Sequence, residues 1–109
     1  VMVSSNSSTS GGNNAIMKLV RGSTDVFVGD DDGASREEAT TQTRVNDTNA
    51  ALTLTFNFLD SPSTTSATTY KLQYKVQAGT GTINQTQADS NSATLARTAS
   101  SIILMEVRG

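Results

Sequence analysis

ALTLTFNFLDSP, residues Ala51 to Pro62, is the stretch that decides the fold. Leu52, Leu54, Phe56 and Phe58 fall at every second position, interleaved with Thr53, Thr55 and Asn57. Strict alternation of this kind makes a β-strand with one dry face and one wet face. Asp60, Ser61 and Pro62 end it, and Pro62 is the only proline in the chain. TTYKLQYKVQAG, residues 68–79, repeats the pattern with Tyr70, Leu72, Tyr74 and Val76 facing one way. Lys71, Gln73, Lys75 and Gln77 face the other way.

The remaining apolar clusters read as further short strands. Val1 to Val3 opens the chain and leads into a polar loop, Ser4 to Asn14. AIMKLVRG, Ala15 to Gly22, carries apolar residues on both faces, as in a strand covered on both sides. VFVG, Val26 to Gly29, is a β-branched run followed by an acidic turn. EEATTQTRVND, Glu37 to Asp47, reads as a solvent-facing strand. Ile83 marks a short strand, Asn84 to Ala99 a long polar surface excursion, and Ser101 to Val107 the last strand. Apolar residues do not recur at helical spacing for more than a turn. The expectation is an all-β chain: an antiparallel β-sandwich or jelly roll of about eight short strands.

Composition narrows the function. The chain has 109 residues, enough for one domain, here expected to span 1–109. Ser and Thr fill 31 positions, yet the net charge is only −2 and the apolar residues are periodic, which favours a folded chain over a disordered one. A small core without cysteine or histidine has neither disulfides nor the usual metal ligands to reinforce it, leaving oligomerisation as the expected reinforcement. Hydrolytic triads lack their base, so an enzyme is not expected. The eight Lys and Arg are scattered, which argues against nucleic acid. No apolar run reaches the length that spans a bilayer, so no membrane insertion is expected. The chain starts without Met and is read as the C-terminal fragment of a longer one.

GDDDGASREE offers Asp30, Asp31 and Asp32 with Glu37 or Glu38 as oxygen ligands. Their spacing does not match a calcium loop. The expectation is a turn at Asp32–Gly33 and no cofactor, with calcium at this acidic loop as the minor alternative. Sequons at Asn6, Asn46 and Asn84 arise readily in a chain this rich in Asn, Ser and Thr. If successive strands alternate in direction, the loops Ser4–Asn14, Asp30–Ser35 and Asp60–Thr68 share one end. Long loops on a rigid scaffold form recognition surfaces, which singles out Asn13, Asp30, Asp31, Asp32, Ser63 and Thr64 as receptor-binding candidates.

TTSATTYKLQYKV, followed by INQTQADSNSATLARTASSIILMEV, resembles the C-terminal domain of many phage fibre and tail proteins, notably those of marine bacteriophages. In that group a strand of the type TTYKVQ precedes a polar segment, and the chain closes on a strand of the type SSITVMEI. Here those elements are Thr69 to Val76, Asn84 to Asn91 and Ser100 to Val107, and FLDSP and LVRGST also fit the pattern. The resemblance implies a jelly-roll domain like the tumour-necrosis-factor and complement heads. It further implies a homotrimer at the tip of a fibre on the virion surface, contacting a host receptor, often a glycan. Exposed Trp, common in glycan binding, is missing, and Tyr70 and Tyr74 substitute only if their strand face is open. The alternatives are a non-binding structural module, such as a capsid decoration or trimerisation cap, and a carbohydrate-binding module.

In the last strand Ile102, Leu104 and Glu106 point one way, and Ile103, Met105 and Val107 the other. Both faces are nearly apolar. The expectation is a central strand with sandwich core on one side and neighbouring subunits on the other. Ile103, Met105 and Val107 are the trimer-interface candidates, and Glu106 emerges into water or pairs with an Arg such as Arg108 of a neighbour.

Overall fold

The structure, a computed structural model, describes residues 1–9 and 12–107, with side chains for 1–3 and 12–107. Its regular elements are eight strands in two antiparallel sheets, and none of the described residues is helical. They are β1 (Met2–Thr9), β2 (Asn14–Arg21), β3 (Thr24–Val26), β4 (Thr41–Arg44), β5 (Leu52–Asn57), β6 (Tyr70–Val76), β7 (Gly81–Ile83) and β8 (Ser101–Ile103). The shortest dimension is 17 Å. That thickness fits two layers spaced about 10 Å apart.

Each sheet is built around one of the first two strands. β1 pairs with β5 along one edge, and on its other edge β7 lies beside Ser7–Thr9 and β8 beside Met2–Ser4. β2 pairs with β6 along one edge, and on its other edge β3 lies beside Leu19–Arg21 and β4 beside Asn14–Met17. Thus β3 and β4 form one strand line, interrupted by residues 27–40. β7 and β8 form another, interrupted by residues 84–100.

The central strands carry the tightest burial. Ala15, Met17 and Leu19 are at most 1% exposed, and Val3 faces them from β1. Ladder pairing places Tyr70, Leu72, Tyr74 and Val76 on the same face as these β2 residues, and Phe56, Leu54 and Leu52 on the face of Val3. Gly81 marks a close approach of the sheets: a Cβ there would lie 2.3 Å from the Val76 side chain and 2.6 Å from the Tyr74 hydroxyl. β7 therefore stacks over β6. Phe27 closes the opposite flank by stacking on Phe58 at 4.9 Å and tilting against Phe56 at 5.7 Å.

Several expectations need correction. Ser4 to Thr9 is strand, because the alternating β5 supplies a full ladder for a segment too polar to announce itself. Only Thr41–Arg44 of the Glu37–Asp47 stretch is strand, and Thr43 there is buried instead of solvent-facing. The run Val26 to Gly29 leaves the sheet at Phe27, whose φ of 54° is left-handed. The last strand stops at Ile103 and is marginal, pairing only with β1 among the described residues. Arg108 lies outside the described residues, so its pairing with Glu106 does too.

Candidate functional site

Strand registers fix which loops meet. Met2, Arg21, Asn57, Tyr70 and Ile103 mark one end of the sandwich, and Thr9, Asn14, Val76 and Gly81 the other. The segment between β5 and β6 leaves from the first end, where the chain beyond β8 also emerges. Between them lies an open cavity of about 700 Å³. Ser63 and Thr64 line it, facing Leu104, Met105 and Val107. Two groups of candidates expected to work apart, loop and interface, are thereby brought onto one surface.

The other candidates lie elsewhere. Asn13 sits at the opposite end, in the link between β1 and β2. Asp30, Asp31 and Asp32 are exposed in the excursion between β3 and β4. That excursion leaves and rejoins a single strand line, so the chain does not reverse direction across it. The alternation of loop ends is therefore broken, and the three loops do not share an end. Instead the excursion reaches the outer face of sheet β3/β4–β2–β6, where Glu37 is paired with Lys75. Lys18, on the same face, binds Asp25 at 2.8 Å. The hydrogen bond and charge of Lys75 hold the Glu37 carboxyl below its usual range, and the hydrogen bond from Lys18 to Asp25 raises the Lys18 ammonium.

Within the acidic run, Asp31 accepts a hydrogen bond from the Gly33 amide at 2.7 Å, and Gly33 takes φ 79°, as turn chemistry requires. Asp32 pairs with Arg36. Among the described residues no three acidic side chains converge to hold a metal ion.

Asp60, Ser61 and Tyr70 line the cavity and join Arg21 in a cluster whose convergence sequence reading did not foresee. Arg21 Nη1 donates to both Asp60 oxygens, at 2.8 and 2.7 Å. The Tyr70 hydroxyl donates to Oδ2 at 2.6 Å and the Ser61 amide to Oδ1 at 2.9 Å. The Asp60 side chain is 12% exposed. Burial works to raise its pKa, but the hydrogen bonds from Tyr70 and Arg21, with the charge of Arg21, outweigh it and the carboxyl titrates low. The hydrogen bond to Asp60, helped by burial, pushes Tyr70 up. With four hydrogen bonds from three donor groups on its two oxygens, Asp60 is saturated from within. It anchors the start of the loop that carries Ser63 and Thr64.

Tyr70 and Tyr74 both face inward, the latter against Gly81, so their strand face is not an open platform for stacking a sugar. The cavity offers neutral hydroxyls from Ser63, Thr64 and their neighbours beside an apolar wall of Leu104 and Met105. No family model, curated protein or solved structure matches this chain.

Proposed function

We propose that this chain is the trimeric tip domain of a viral fibre or tail protein, presented on the virion and attaching to a receptor on the host surface. The observation that carries the reading is the exposed apolar end of the chain. Ile102, Ile103, Leu104, Met105 and Val107 are 42, 48, 50, 67 and 76% exposed. So many exposed apolar side chains within one short segment of a small sandwich favour a surface that a partner covers. Strand winding supports a jelly roll in particular: β2 pairs with the β3–β4 line and β1 with β5, a double strand that folds from one sheet onto the other. The hydroxyl-lined cavity beside the apolar end is the surface we assign to the receptor, with a glycan as one class of ligand.

Light scattering after size exclusion tests the assembly. A trimer at micromolar concentration is expected, and a monomer would end this reading. Ile103→Asp or Met105→Asp should break the trimer, because each buries an unpaired charge. Binding of labelled protein to host cells or to lipopolysaccharide tests attachment. A non-binding trimerisation cap is the second reading, favoured by the internal saturation of Asp60, and it predicts the trimer without the binding.

A further inference from the structure

We infer that the segment Leu104–Val107 of one copy adds as an antiparallel strand to the outer edge of β6 in a second copy. This rests on the trimer reading and specifies how the trimer is built.

The acceptor is an unclosed flank. Among the described residues no strand pairs with the outer edge of β6, and β7, stacked over it, is likewise paired only with β1. The residues that face inward along this flank are incompletely covered. Leu72 is half-buried, while Ile83 and Ile102 are 40 and 42% exposed. Their counterparts on the central strand, Met17 and Leu19, are 1 and 0% exposed. A strand edge with unsatisfied apolar neighbours is a template for another strand.

The donor is an extended end with matching chemistry. Beyond β8, residues 104–107 belong to no strand and are exposed. Met105 and Val107 would face inward while Glu106 faces outward, the alternation that β6 presents with Leu72 and Tyr70 inward and Lys71 outward. Lys75 is engaged by Glu37, whereas among the described residues no ion pair involves Lys71 or Glu106. The register is thereby set: Glu106 opposite Lys71, Met105 opposite Leu72, Val107 opposite Tyr70. Opposite charges on directly facing residues stabilise a strand pair, while a second β6 would set lysine against lysine.

The segment cannot reach this position within its own chain. β8 runs toward the end of the sandwich where β6 begins, so residues 104–107 have already passed the edge they would pair with. Donor and acceptor are different surfaces, so the contact is head-to-tail, and the trimer reading requires the rotation it imposes to close a ring of three rather than run on as a filament.

Three changes to the full chain test this by light scattering. Truncation after Ile103 should give monomers. Lys71→Glu and Glu106→Lys should each weaken association about tenfold, and the double exchange should restore it. Lys71→Cys with Glu106→Cys should give covalent trimers on oxidation, visible without reductant in denaturing gels. A trimer that survives truncation, a double exchange as weak as its singles, or a cysteine pair that stays monomeric in the gel would each overturn the strand addition while leaving the trimer reading intact. A wild-type monomer would remove both.

Discussion

Two strand lines in this molecule are interrupted in the same way and secured differently. Both leave the sheet through a left-handed residue placed directly after a three-residue strand: Phe27 with φ 54° after β3, and Asn84 with φ 64° after β7. Both return to the same central strand a few residues further along. The excursion after Phe27 is tied to the sheet that it leaves. Thr40 donates its amide to the Met17 carbonyl at 2.9 Å, and its Oγ1 accepts from the Leu19 amide at 2.8 Å. The excursion after Asn84 carries the Thr98 amide on the Asn84 carbonyl and Arg97 on Asp89, and the Ala88 amide ties it to the Thr48 carbonyl in the turn between β4 and β5. The first arrangement leaves Leu19 and Val20 sealed, and the second leaves Ile83 and Ile102 open. One flank is closed by the chain itself, and the other stays partly exposed.

The largest test of this contrast is a matched pair of truncations. Leu19→Ala should cost about 3 kcal/mol, the usual penalty for emptying a fully buried site. Ile102→Ala should cost under about 1 kcal/mol in a monomer, because nearly half of that side chain already meets water. Thermal or urea unfolding of both variants measures the difference, and equal losses would mean that the second flank is as closed as the first.

Next in size is Asp60→Asn, expected to lose about 2 kcal/mol by removing charged hydrogen bonds beside the cavity. Its pH dependence has a definite sign. The folded carboxyl titrates below its unfolded value, so its contribution is complete above the unfolded pKa and fades as acid carries the pH down through the folded one. Tyr70 titrates above its unfolded value, so its contribution is complete below that value and is lost as pH rises through the folded one. Urea midpoints recorded against pH should show a shallower acid limb in the Asn variant, and an unchanged limb would exclude Asp60 as its source.

Smaller still is Asn84→Ala, expected to cost about 1 kcal/mol because alanine is less at ease in the left-handed region. The smallest is Glu37→Gln, whose effect should be barely measurable and should vanish in high salt, since the ion pair with Lys75 is exposed. If Glu37→Gln instead rivals Leu19→Ala in unfolding experiments, ion pairing rather than the Thr40 backbone link secures the first excursion.

Alternation made β5 and β6 legible residue by residue, because a half-buried strand writes its two environments in turn along the chain. β1 was not legible beyond Val3, since its ladder is dictated by β5 across the sheet and Ser and Thr carry no periodic signal of their own. The joining of β3 to β4 was hidden for a related reason. Nothing local distinguishes an excursion that rejoins its own strand line from a loop that reverses the chain, and that ambiguity misplaced Asn13 and the three aspartates relative to Ser63 and Thr64. The trio beside the cavity was written at strand ends: Arg21 closes β2, Tyr70 opens β6, and Asp60 follows β5 by three residues. Polar residues at the ends of otherwise apolar strands were its only signal, and register alone shows that they converge.

The interrupted strand line has a practical side. An excursion that departs from and rejoins one strand line can change length without altering the direction or pairing of any strand. Doubling a flexible loop adds only about 0.6 kcal/mol of closure cost. The turn at Gly33 is thus a natural insertion point, where foreign peptides of varied length could be displayed while the sandwich beneath keeps its registers.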